Sequence, residues 1–354
     1  MMERLDSTDP YMNARVAGMR SRLLSHAQLD ALIDLDDAPR LVDALVASPY
    51  EQEMAEALTR FHGADAIEEA LSRNLVNTLQ KVLTLAGDGM RPLVKTFLRR
   101  WDLAAVKSLL RLRHHEIGGE EALKDLQPGP GLTVPLLRSM AERGTMAELV
   151  SALAGWNSGL CSGLLQALPE YESDGSVRVL EEALDRAYFV ENVATLLEKE
   201  DEDSKILCTA LRMEIDRINV RLLFQLREAD ATPDALAGRL LPKGTLTART
   251  LQTVASARDS AAAMEVLGKT IYKPLSEMFF MFVQSARFSP MERMFEQIMI
   301  RHLRREARVK VMSIAVPMYY VWLKHNEIIN IRLMARGETN HLPRGRVREE
   351  IMYA

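Results

Sequence analysis

Apolar residues return every three to four positions along most of the chain. Leu29, Leu32, Ile33 and Leu35, then Leu41, Leu45 and Val46, form one such series, and Leu180, Leu184, Leu196 and Leu197 another. That period places one apolar stripe on each of a succession of amphipathic helices. Helix-stopping clusters punctuate the pattern: Gly87-Asp88-Gly89, Gly118-Gly119, Pro128-Gly129-Pro130-Gly131, Pro242-Lys243-Gly244 and Pro343-Arg344-Gly345. No run of alternating β-branched residues exceeds four, so the pattern predicts an all-α protein with almost no strand. Two runs are strongly apolar, Met278–Val283 and Val311–Leu323, the second containing Pro317. Neither reaches the 18 or so residues of a spanning helix, and no membrane crossing is expected. The start, Met1 to Asp6, has no apolar core, so no signal peptide is expected.

The helical pattern repeats on a larger scale. Glu68-Glu69-Ala70-Leu71-Ser72-Arg73 is followed 34 residues later by Asp102-Leu103-Ala104-Ala105-Val106-Lys107. Glu181-Glu182-Ala183-Leu184-Asp185-Arg186 is followed 35 residues later by Asp216-Arg217-Ile218-Asn219-Val220-Arg221. Glu292-Arg293-Met294-Phe295 is followed 35 residues later by Glu327-Ile328-Ile329-Asn330-Ile331-Arg332. The acids at 102, 216 and 327 set periods of 114 and 111 residues, well above the 20 to 50 of a solenoid repeat. Each copy is therefore expected to be a small helical bundle, with boundaries 1–101, 102–215 and 216–354. Pro128 and Pro242 each lie 26 residues past the acid, whereas Pro343 lies only 16 past Glu327. A weaker echo, Tyr11-Met12-Asn13-Ala14-Arg15-Val16, lies near the start.

Composition adds little to this and excludes several chemistries. Gly (18) and Pro (14) together are about 9% of 354 residues, few turn formers for a chain of this length. Cys161 and Cys208 are 47 residues apart with no CxxC or His/Cys ligand spacing, which excludes a disulfide framework and a structural zinc site. Gly268-Lys269-Thr270 lacks the glycine five residues earlier that a phosphate loop needs, since position 263 is Ala, and no strand precedes it. His114-His115-Glu116 puts adjacent imidazoles about 100° apart on a helix, and His62, His302, His325 and His341 are scattered. No nucleophile elbow is present. A cofactor, a catalytic site and a small-molecule substrate are not expected.

Charge is distributed unevenly. The whole chain carries 45 basic and 49 acidic residues, net −4. Residues 287–350 hold 13 Lys plus Arg against 7 acids, so the remainder carries −10. Arg301, Arg304, Arg305 and Arg308 stand at i, i+3, i+4 and i+7, one stripe of a helix. Besides a solvated face, that stripe fits attraction to anionic headgroups or to an acidic partner. Without interleaved aromatics it does not fit nucleic acid. Within the repeated motif Asp216 and Asn219 share a helical face and Arg221 points away from it. Buried partners for Asn and Arg, on helix ends or neighbouring carboxylates, are the simplest use of these residues.

Four of these segments carry a resemblance: Tyr11 to Val16, Leu180 to Tyr188, Glu214 to Arg221, and Glu327 to Arg332. In this order and spacing the chain resembles, from about residue 8 to its end, the C subunit of the archaeal and bacterial V/A-type rotary ATPases, which is similar to the d subunit of eukaryotic vacuolar ATPases. The first copy departs, with Ala105 in place of Asn and Lys107 in place of Arg. The resemblance implies three similar bundles arranged as a pseudo-threefold funnel with a central cavity. It implies a non-catalytic coupler at the cytoplasmic face of the membrane, one protomer within a hetero-oligomeric complex. Its partners would be the central-shaft subunits and the membrane proteolipid ring. The −10 outside residues 287–350 fits an acidic lining for the shaft socket. A soluble helical-repeat scaffold for peptides or partner helices, unrelated to ion transport, is the alternative the periodicity allows.

Overall fold

The computed structural model describes residues 9–35, 37–228, 239–277, 289–339 and 342–353. The apolar run Met278–Val283, the start from Met1 to Asp6, and His341 lie outside the described residues. Among the described residues every regular element is a helix. None is long and apolar enough to cross a membrane.

The chain begins with α1 (Pro10–Arg20), α2 (His26–Ile33), α3 (Ala38–Val46), α4 (Glu51–Leu58) and two long helices, α5 (Gly63–Leu85) and α6 (Arg91–His114). It continues with α7 (Gly119–Asp125), α8 (Val134–Ala141), α9 (Met146–Trp156) and α10 (Ser158–Asp174). Next come α11 (Val177–Asp185) and α12 (Glu191–Leu197), joined by one π turn (Arg186–Val190), and the long α13 (Glu202–Glu228). The last set is α14 (Ala248–Ala255), α15 (Ser260–Leu267), α16 (Lys273–Glu277), α17 (Ser289–Val309), α18 (Ala315–Thr339) and α19 (Arg344–Glu350). Pro317 does not break its run: it lies in the first turn of α18, where a missing N–H costs nothing.

The three copies share a local grammar. An eight-residue helix starts after Ser25, Thr133 and Thr247, and a second helix starts 12 residues further on, after Asp37, Thr145 and Asp259. These caps satisfy the orphan donors of a first helical turn. Asp37 accepts from the Arg40 N–H at 2.8 Å and Asp259 from the Ala262 N–H at 2.7 Å. Ser25 with Gln28, and Thr145 with Glu148, form reciprocal capping boxes. Thr133 makes no such bond, and there Pro135 supplies the preset helical φ instead. Helices this short are marginal alone, so capping and the apolar face hold them in place.

The chain divides into two compact units. One comprises Met1–Leu98, Gln127–Pro130 and Leu303–Ala354; the other comprises Arg99–Leu126 and Gly131–His302. In the first, α18 packs among α1, α2, α3 and α5, so helices from both ends of the chain build one core. Trp322, Tyr50, Met12, Leu71 and Leu75 are fully buried in it. In the second, α12 and α14 pack on α13, while α10 packs on α9 and α11. Its core includes Tyr188, Leu164, Leu207, Ile215 and Tyr272.

Candidate functional site

The repeated acids sit in the middle of long helices and are buried, so each needs partners. Each finds them on a loop that precedes an eight-residue helix. Asp102 Oδ1 accepts from the Gly131 and Leu132 N–H groups, both at 2.9 Å. Asp216 accepts from the Thr245 N–H at 2.9 Å, the Leu246 N–H at 3.1 Å, the Tyr272 hydroxyl at 2.8 Å and the Thr245 hydroxyl. Glu327 takes the Leu24 N–H, the Tyr50 hydroxyl at 2.6 Å and the Lys324 ammonium at 2.9 Å. Leu132, Leu246 and Leu24 are equivalent: each lies one residue before the Ser or Thr that precedes the short helix. The turn at Pro343 is therefore not the counterpart of those at Pro128 and Pro242, because the loop that Glu327 grips is at the other end of the chain.

The sequence motifs do not single out Tyr50 and Tyr272. Each stands 25 residues after its Ser25 or Thr247 cap, and that shared interval was the available signal; Ser158 holds the position in the middle copy. Glycine is required at the tightest approaches. A Cβ on Gly244 would lie 2.1 Å from Asp216 Oδ1, and one on Gly131 would lie 2.9 Å from Asp102 Oδ2. Gly244→Ala is expected to destabilise the chain by about 2 kcal/mol, the usual overpacking cost. A chemical-denaturation midpoint equal to wild type would show that the loop yields freely.

The amides three residues on repeat a second clamp. Asn219 donates to the Leu241 carbonyl at 2.8 Å and accepts the Leu241 N–H at 2.8 Å. Asn330 donates to the Met352 carbonyl at 2.9 Å and accepts the Met352 N–H at 3.2 Å. Both spans are 22 residues. A side-chain amide can pair in this way with one peptide group; Ala105, which stands at the corresponding place after Asp102, cannot.

The basic residues at the motif's sixth position turn to another helix. Lys107 pairs with Asp185, Arg221 with Glu292 at 3.0 Å, and Arg332 with Glu68 at 2.8 Å. Arg111 adds Glu181 and Arg336 adds Glu68. In each case the base reaches the acidic stretch that opens a motif pair: Lys107 the stretch 181–186, Arg221 the stretch 292–295, and Arg332 the stretch 68–73. Arg332 also donates to Gln127 and Ser72. Between Arg100 and Arg217, Glu214 accepts from both, at 2.9 and 3.0 Å. Burial raises the Glu214 carboxyl, but the two guanidinium groups outweigh it and hold it below the ordinary value. These groups are committed to one another and serve as internal fastenings.

The arginine stripe is different. Ile300, Leu303 and Ala307 turn one face of α17 inward, while Arg301, Arg304, Arg305 and Arg308 are exposed. Arg301 donates to Gln297 at 2.9 Å. No described carboxylate pairs with Arg304, Arg305 or Arg308. Gly268-Lys269-Thr270 closes the C-terminus of α15, and the Thr270 hydroxyl donates to the Leu267 carbonyl. That is the negative end of the helix dipole, the wrong end for phosphate.

The sequence profile described as the ATP synthase (C/AC39) subunit matches residues 12–350. Similar curated proteins include three named as the C subunit of an A-type ATP synthase. The one from Methanococcoides burtonii is 25% identical, covering 97% of this chain and 93% of the relative. That from Haloquadratum walsbyi is 26% identical, covering 98% and 99%. That from Haloferax volcanii is 27% identical, covering 98% of each. With the profile spanning nearly all of the chain, this protein belongs to the ATP synthase (C/AC39) subunit family.

Proposed function

We propose that this chain is the C subunit of an A-type ATP synthase and links the rotating central shaft to the membrane proteolipid ring. As a member of its family it is a non-catalytic subunit of a rotary ATPase. The near-complete match to proteins named as the C subunit of A-type ATP synthases carries this reading. The internal fastenings support it: a part that passes torque must resist shear, and buried carboxylates gripping backbone amides are stiff, charge-assisted bonds. In this reading the three copies, 1–101, 102–215 and 216–354, arose by triplication, and the protein sits peripherally at the cytoplasmic membrane face. The basic stripe of Arg301, Arg304, Arg305 and Arg308 belongs to its contact surface.

The test is coupling. In membrane vesicles that carry the complex, stripping this protein is expected to abolish ATP-driven ion uptake while nucleotide hydrolysis by the released soluble portion continues. Adding the purified chain back is expected to restore uptake. Uptake that is indifferent to its presence would overturn the assignment.

A further inference from the structure

The connection between consecutive long helices occurs once in each copy, and the three differ sharply. In the first, Ala86 and Met90 are buried and Asp9 ties down the Gly87 N–H at 2.6 Å. In the second, the exposed connection is acidic, Glu198-Lys199-Glu200-Asp201. In the third, α17 ends in exposed Arg304, Arg305 and Arg308. The tip beyond them exposes Val309, Val311 and Met312 by 74, 62 and 45%. The first connection exposes no large apolar side chain, and beside the second only Leu197, the last residue of α12, is exposed, by 55%.

The tip is fixed in shape. The Ser313 N–H donates to the Lys310 carbonyl at 3.2 Å and its hydroxyl to the same carbonyl at 2.7 Å. Ile314, fully buried, anchors the exit. Lys310 pairs with Glu306 at 3.3 Å, so the one acid among these residues is already neutralised. Three arginines remain without a described counter-charge.

We propose that this tip, residues 304–312, docks on an anionic phospholipid surface. A one-sided cationic stripe followed by an apolar point matches the depth order of a leaflet, with phosphates outside and the acyl boundary beneath. From Arg304 to Val309 the helix rises about 7.5 Å, comparable to the roughly 5–10 Å by which interfacial elements embed their apolar face. Arginine stems can reach back to phosphate while the tip enters. An acidic protein partner would supply the charge but would need its own apolar pocket; a leaflet supplies both. The inference rests on the reading that the protein works beside a membrane.

Flotation of the full-length chain with vesicles tests it. Binding is expected to phosphatidylcholine vesicles that contain phosphatidylglycerol, to weaken with salt, and to be absent for phosphatidylcholine alone. Each charge near an anionic surface changes affinity about fivefold, so the double variant Arg304→Gln/Arg305→Gln is expected to bind about 25-fold more weakly. Val311→Ser/Met312→Ser is expected to remove the binding that survives high salt. All four side chains are exposed, and helical circular dichroism checks that each variant folds. Equal binding to neutral and anionic vesicles, or full binding by the arginine variant, overturns the proposal. If wild type ignores vesicles while the arginine variant leaves the ATPase complex, the tip meets protein and the coupling reading stands alone. If vesicle binding holds but the chain never joins the complex, the coupling reading fails and the lipid contact remains.

Discussion

Replacing Asp216 by Ala is expected to lower the unfolding free energy by about 4 kcal/mol, because it strands two buried amide donors and removes the acceptor of two hydroxyls. The Thr245 and Leu246 N–H groups are fixed by the backbone and aimed at the carboxylate, whereas the Thr245 and Tyr272 hydroxyls can rotate. Asp102→Ala, which releases only the Gly131 and Leu132 amides, is expected to cost less, about 2–3 kcal/mol. Urea denaturation of the two variants gives the ranking directly. Equal losses would mean that the hydroxyls contribute nothing; a loss under about 1 kcal/mol for Asp216→Ala would mean that the clamp is not a fastening.

The same residue sets a direction for pH. Burial lifts the Asp216 carboxyl above its ordinary value, and the bonds from Thr245, Leu246 and Tyr272 bring it only part of the way back. A carboxyl raised in the folded state contributes stability that is fully present below its unfolded value, about 3.9. That contribution is lost as pH rises through the folded value. The gap between wild type and the Ala variant is therefore widest in acid and narrows as pH rises through the folded value.

Much of the fold was legible in the sequence because its determinants are local. The 3.6-residue period, the stop clusters and the acids at 102, 216 and 327 are all read within a few turns of helix. So was the divergence of Arg221 from Asp216, which follows from helical angle alone: the acid meets loop 245–246 and the base meets Glu292. What the sequence motifs could not show is which loop each acid grips. The partners lie about 30 residues ahead for Asp102 and Asp216 but 303 residues back for Glu327. Matching by forward spacing alone leads to Pro343, whereas the counterpart the structure shows, Leu24, lies on a loop 303 residues earlier in the chain. The 22-residue partner of Asn330 is likewise Met352, a backbone group with no side-chain signature. The intervals from Ser25 to Asp37, Thr133 to Thr145 and Thr247 to Asp259 were present in the sequence, but each is a pair of ordinary cap residues. They become a repeat only when three helix starts are set side by side. For the stripe on α17, spacing gave its geometry; the exposed apolar tip that extends it depended on burial, which single residues do not reveal.

Glu327→Ala should be nearly as damaging as the Asp216 change and for a different reason. Its carboxylate joins the Leu24 N–H, the Tyr50 hydroxyl and Lys324, whose side chain is 7% exposed and whose ammonium lies 4.0 Å above the centre of the Tyr50 ring. Removing the carboxylate leaves the buried Lys324 cation over the Tyr50 ring without its ion-pair partner, and breaking a buried pair from one side costs about 3–5 kcal/mol. The stranded charge, more than the lost bonds, drives that cost. Lys324→Met in the same background should then recover about half of the loss, since a neutral side chain of similar shape needs no counter-charge. The effect should also be local. Leu24 lies just after Arg20 and Arg22, and the loop they flank is held to α18 by Glu327. Limited trypsin digestion of the Glu327→Ala chain should cut at Arg20 and Arg22 faster than in wild type, and the double variant should remain equally sensitive there, because the Leu24 amide still lacks its acceptor. Stability restored together with protease resistance would assign the whole effect to Lys324 and leave the carboxylate no part in tying the two ends of the chain together.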